Sequence, residues 1–238
     1  MTVACGLYQR LSLPLPWKPA LSPVPLIVYG AASAVGSYAI QLAQQSNIHP
    51  LICIAGRGIP HVETLISKDK GDTIIDYRDG DEAVVRGLKA AAETHGGLHY
   101  AFDAVAEKGS YVNISEVLDQ KDGKITLVLP GKKYEEIPAS IEKSTTTVGC
   151  VFADLDSDKW EKRTGMSTGN PDFGHAMYRL FTRGLQQGWL KGHPHEVVPG
   201  GLGGVQGALE KMKNGEISAK KQVFRIADTE GVAASAHL

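Results

Sequence analysis

Between the apolar run Leu26-Ile27-Val28-Tyr29 and a stretch of helical period lies Gly30-Ala31-Ala32-Ser33-Ala34-Val35-Gly36. Small side chains at a strand-to-helix turn let the backbone approach a pyrophosphate, and the open N–H groups at the positive end of the helix bind it. Gly36 stands at the last glycine of a G-x-G-x-x-G pattern, with Ala31 and Ser33 at the other two. A tightly packed turn without a ligand would carry the same residues. Its place at the first crossover of an alternating chain favours a dinucleotide, with Ser33, Ala34, Val35 and Gly36 as the candidate pyrophosphate residues.

The end of the next apolar run tests which dinucleotide that would be. A free ribose 2′-OH is usually met there by Asp or Glu, whereas a 2′-phosphate needs a cation. The sequence offers Ala55-Gly56-Arg57-Gly58, one arginine and no acid, so NADP(H) is expected over NAD(H). A solvated loop arginine is the alternative reading of Arg57. Other constellations fail on spacing. Asp154-x-Asp156-x-Asp158 opens like a calcium loop, but Lys159 and Gly165 stand where Gly and Glu are required. His193-Pro194-His195-Glu196 lacks a third ligand by spacing, so no metal is expected. No G-x-S-x-G elbow occurs.

Several short elements must position these residues. Val35, Ala39, Leu42 and Ser46 share one helix face. The cycle repeats with a strand at Leu51–Ala55 and a helix over Ile59 to Ser67, then a strand at Thr73–Asp76 and a helix holding Val84, Leu88 and Ala91. A strand from Leu98 to Asp103, a helix near Tyr111 to Leu118 and a strand from Lys124 to Leu129 follow. Continuous apolar strands separated by helices describe a parallel sheet buried on both faces. The fold class is therefore α/β, a doubly wound parallel Rossmann-type sheet with helices on both faces.

Expected boundaries are a linker region 1–25, a dinucleotide-binding domain 26–152, a polar surface loop 153–171, C-terminal helices and a strand completing the domain at 172–226, and a tail 227–238. The 238 residues carry 25 basic and 26 acidic side chains, a net charge of −1, which excludes a strongly basic nucleic-acid binder. With 42% hydrophobic and 21% charged residues the chain is globular and not disordered. Pro25, Gly30 and Ser33 interrupt the most apolar stretch, so no spanning helix is expected. Cys5, Cys53 and Cys150 sit in apolar contexts without disulfide or zinc spacing and read as buried hydrophobes in a reducing compartment.

The ordered segments Val28–Gly36, Asp76-Tyr77-Arg78, Tyr100–Val105, Gly192–Leu202 and Ser218-Ala219-Lys220-Lys221 leading into Val223–Ile226 resemble the medium-chain dehydrogenase/reductase superfamily. Within it they are most similar to the zinc-independent quinone and enoyl reductases, especially the fungal enoyl-reductase-like members. The resemblance implies an NADPH-dependent reductase in which the turn Ser33 to Gly36 holds the pyrophosphate. It also implies that Arg57 and the ring of Tyr77 flank the adenosine 2′-phosphate, and that the backbone around Leu129 and Cys150 to Phe152 approaches the nicotinamide. Thr2 to Leu11 resembles a helix that, in the family, crosses between two domains beside the reacting end of the cofactor.

Family members carry an N-terminal β-rich catalytic domain before that helix, to which segments after about residue 153 partly return. The expected function is hydride transfer to an enoyl or quinone substrate, and the alternative is an NADP(H)-binding module without turnover. No catalytic acid is assigned. A small molecule is the expected substrate, nucleic acid and membrane are not expected partners, and a homo-oligomer or a complementing chain are the open protein partners. The cytosol is the expected location; Ala236-His237-Leu238, a loose variant of Ser-Lys-Leu, is the alternative peroxisomal address.

Overall fold

The computed structural model describes residues 1–152 and 170–232. The chain forms two compact units, Met1–Lys191 and Gly192–Leu238. In the first, β1 (Leu26–Tyr29), β2 (Leu51–Ala55), β3 (Thr73–Asp76), β4 (Tyr100–Asp103), β5 (Lys124–Leu127) and β6 (Glu142–Thr145) make one sheet in the order β3-β2-β1-β4-β5-β6. Every pairing in it is parallel, so all six strands end on the same edge. The direction of the order reverses between β1 and β4, and their carboxyl ends bound the crevice where such sheets take their ligands.

Alternate strand residues face opposite sides, and each side has its own core. Leu26, Val28, Leu51, Cys53 and Phe102 pack with Ala39, Ile40 and Leu42 of helix α2 (Ala34–Gln45) and with Leu7 and Leu11. Helix α1 (Thr2–Ala4) continues as a π-helix, Cys5–Arg10, on this face. It lies so close to the sheet that a Cβ on Gly6 would meet the Phe102 ring at 2.3 Å. Across the sheet, Ile27, Ile52, Ile54, Ala101 and Ile125 pack with Val84 and Leu88 of α4 (Asp81–His95) and Ile114 of α5 (Ser110–Ser115). Complete burial of each such side chain is worth about 1.5–3 kcal/mol.

The second cycle differs from the sequence expectation. Helix α3 spans only Ile59–Glu63, with Pro60 in its first turn, and does not reach Ser67. The Thr64 hydroxyl, which donates to the His61 carbonyl at 2.7 Å, closes it. Strand β6 was not expected at all. The strand expected within 172–226 to complete the first domain is β8 (Lys221–Phe224), and it pairs with β7 (His195–Val198) in a separate two-stranded sheet of the second unit. That unit also holds the helix Val205–Lys213. Most of the expected surface loop, residues 153–169, and the terminal tripeptide lie outside the described residues. Among the described residues no helix is long and apolar enough to cross a membrane.

Candidate cofactor site

The turn after β1 is built from backbone demands that only small residues meet. Gly30 has φ +73°, a conformation in which a Cβ is strained, and its missing Cβ makes room for Val105, whose Cγ2 would lie 2.5 Å away. Its N–H and that of Ala31 both donate to the Ile54 carbonyl at 3.0 Å, which fastens the turn to β2. Ser33 then caps α2: its Oγ accepts from the Gly36 N–H at 3.0 Å. A Cβ on Gly36 would stand 2.3 Å from the Gly30 carbonyl oxygen and 2.7 Å from Ala31 Cα. Gly36 therefore lets the helix start against the turn, as its place in the pattern predicts. The conformational glycine is Gly30, one residue before the pattern begins.

The four expected pyrophosphate residues thus lie together, three in the first turn of α2 and Ser33 as its cap. Behind them the Ser37 hydroxyl donates to the Ala31 carbonyl at 3.3 Å and lies 3.1 Å from His61 Nε2 on α3. Partial burial lowers the His61 pKa, which favours the neutral ring.

At the ends of β2 and β3 the structure brings the loop of Arg57 beside Tyr77. Gly56 is buried under the Tyr77 ring, and a Cβ there would meet Tyr77 Cζ at 2.5 Å. Arg57 is exposed, and Tyr77 is half exposed. The nearest strand-end acid, Asp76, is engaged by Arg78, whose Nε donates to both carboxylate oxygens at 2.9 and 3.0 Å. That hydrogen bonding holds the Asp76 carboxyl below its usual range. A carboxylate covered by a guanidinium repels a neighbouring phosphate less than a bare one.

Across the crevice, Asp103 ends β4 fully buried. Its carboxylate accepts from the Val105 and Ala106 N–H groups at 2.9 and 2.8 Å and from Ser110 Oγ at 2.6 Å. Burial still raises its pKa, outweighing the donors that favour the ionised form. The knot holds a loop in which Ala106 and Lys108 adopt φ +57° and +52°. Leu129 and Phe152 follow β5 and β6 on this edge, 38% and 65% exposed, and the Phe152 ring packs 6.4 Å from Tyr178. The sequence did not single out Tyr134, whose hydroxyl donates to the Leu129 carbonyl at 2.6 Å.

One group of a histidine and two carboxylates, His99, Asp119 and Asp122, has its ligand atoms within 4.8 Å of one another. It precedes β4 and β5 and so lies at the other edge of the sheet. A hydrogen bond between His99 Nδ1 and the Asp122 carboxylate at 2.7 Å and a turn capped by Asp119 account for it. Neither His193 nor His195 belongs to it. Cys5 and Cys53 are buried, as expected.

No family model matches the chain. It is 52% identical over 201 residues to the trans-enoyl reductase fsr4 of Gibberella fujikuroi, covering 84% of this chain and 55% of that protein. Its relatives are fungal trans-enoyl reductases. A second, ACTTS2 of Alternaria alternata, is 30% identical over 94% of this chain and 62% of its own length. The chain thus spans about half to three-fifths of these two curated relatives, and it corresponds to their C-terminal part. Among solved structures, CurK enoyl reductase superposes with a TM-score of 0.61 at 15% identity, covering 93% of this chain and 59% of that one. A mutant enoyl thioester reductase from Candida tropicalis gives 0.60 at 16%, covering 94% and 58%. These similarities show the fold, a Rossmann-type α/β sheet.

Proposed function

We propose that the chain is the NADP(H)-binding part of an oxidoreductase that delivers a hydride to the β-carbon of an α,β-unsaturated carbonyl, with a quinone ring as the other acceptor class. The 52% identity to a trans-enoyl reductase carries this reading, because the matched length of 201 residues must include most of the sheet edge described above. When bound, the cofactor supplies the hydride from its nicotinamide C4. The chain's residues bind and orient it. The first turn of α2 presents N–H groups and a positive helix end to the pyrophosphate, and Gly36 lets that helix start against the turn after β1. Arg57 pairs with the 2′-phosphate, Tyr77 covers the adjoining face, and Arg78 keeps Asp76 from opposing the same charge. Leu129 and Phe152 form the wall at the nicotinamide end, with apolar surface that excludes water from the reacting carbon.

Incubation of the chain with NADPH and a panel of enoyl thioesters, enones and quinones tests the reading, with loss of reduced-nicotinamide absorbance as the signal. Oxidation on an enoyl substrate supports it, and none across the panel refutes hydride transfer by this chain. A thermal shift with NADPH and no oxidation would instead select the alternative, an NADP(H)-binding module without turnover.

A further inference from the structure

We propose that Tyr134 is a positioning residue for the nicotinamide end of the cofactor, acting by fixing the turn that follows β5. The inference rests on the NADP(H) reading above. Tyr134 has φ +52°, a left-handed conformation rare for a bulky side chain, yet it is 3% exposed. Backbone in that region persists where its surroundings over-determine it, and such positions gather at ligand clamps. Here four contacts act on one residue. Its hydroxyl donates to the Leu129 carbonyl at 2.6 Å. Lys143 Nζ donates to its carbonyl at 2.8 Å. Its ring meets Tyr111 edge-on, with centroids 5.0 Å apart. Lys132 Nζ lies 5.4 Å from its ring centre while bonding the Tyr111 hydroxyl at 2.6 Å.

The target of this clamp is the segment Leu129-Pro130-Gly131. Pro130 fixes its own φ, and Gly131 turns at φ +90°. The Leu129 carbonyl is thus pinned between β5 and these two residues, which ties the turn down at the carboxyl edge of the sheet. The strained tyrosine is separated by five residues from the carbonyl it holds, so the bond closes a loop around the turn. A role in folding alone would affect every ligand of the domain; a role in positioning affects only what touches this turn.

The experiment compares NADPH with adenosine 2′,5′-bisphosphate, which keeps the phosphate-bearing adenosine and lacks the nicotinamide. Calorimetric titration gives both dissociation constants, and nicotinamide fluorescence reports the surroundings of the ring. Tyr134→Phe removes one hydroxyl and keeps the ring packing. It should weaken NADPH about fivefold to tenfold, the worth of one hydrogen bond, lower the fluorescence enhancement, and leave the bisphosphate constant unchanged. Lys143→Met, which removes the donor to the Tyr134 carbonyl, should move NADPH in the same direction and serves if Tyr134→Phe does not fold. Unchanged NADPH binding, or equal losses for both ligands, would overturn the inference alone. Wild-type chain that binds neither ligand would overturn the NADP(H) reading and the inference with it.

Discussion

Replacing Gly36 with Ala probes the turn that carries the cofactor reading. The new Cβ would stand 2.3 Å from the Gly30 carbonyl oxygen and 2.8 Å from its carbon, both backbone atoms that cannot swing aside. The turn and the first turn of α2 must separate by about 1 Å, an overpacking cost of ~1–3 kcal/mol. Alanine returns ~1 kcal/mol of helix propensity, which leaves a net loss of about 0–2 kcal/mol. For a chain of this size that is a fall in Tm of up to ~8 °C. NADPH binding should weaken at least tenfold, because the N–H groups aimed at the pyrophosphate move with the helix. At a ligand concentration 100 times the wild-type Kd, stabilisation is ~2.7 kcal/mol for wild type and ~1.4 kcal/mol for a variant tenfold weaker. Thermal unfolding with and without NADPH measures both quantities. Gly207→Ala is the control: this exposed helical glycine has no atom within 4 Å of the added Cβ, so it should gain ~0.5–1 kcal/mol. A Gly36→Ala protein with wild-type Tm and a full NADPH shift would refute the reasoning.

Arg57→Glu should weaken NADPH by ~2–3 kcal/mol while NADH changes little, since an anion replaces the phosphate's partner; Tyr77→Phe should cost less. Isothermal titration with each cofactor checks this. Burial pushes the Tyr8 hydroxyl, bonded to the Leu42 carbonyl and Ser46, up to about 12 from 10.0. Its folded value is the higher, so its stabilisation is complete below pH ~10 and is lost as pH rises toward ~12, by a few kcal/mol at most. Tyr8→Phe should lose about 1 kcal/mol at neutral pH and lack that alkaline decline in urea unfolding. Asp103 has a raised folded pKa, so the native state holds its proton longer than the unfolded state and stability falls as pH climbs from about 4. The wild-type advantage over Asp103→Asn should therefore shrink between pH 4 and 7 in the same assay.

The sequence revealed elements whose residues are buried on both faces and concealed those held mainly by their backbone. Leu26-Ile27-Val28-Tyr29 is legible because each of its residues is buried. Strand β6, Glu142-Lys143-Ser144-Thr145, is polar because it is an edge strand; its pairing with β5 rests on main-chain hydrogen bonds that leave no apolar pattern. The α2 turn was legible through Gly36, but the glycine that sets its conformation is Gly30, where a Cβ would meet Val105 of a distant strand-end loop. Tyr134 carried no signal, since nothing in a sequence marks a tyrosine at positive φ. The partner of β8 was illegible because Lys221–Phe224 runs polar-polar-apolar-apolar, with no alternation to name a neighbour. Its neighbour was settled only by the fold.

The central claim, a site built for NADPH on this sheet edge, is tested most directly by titrating the wild-type chain with NADPH and NADH at equal salt. We expect one saturable site per chain and an affinity for NADPH at least tenfold above that for NADH, a difference of about 1.4 kcal/mol or more. Equal or tighter binding of NADH, or no binding of either, would contradict it.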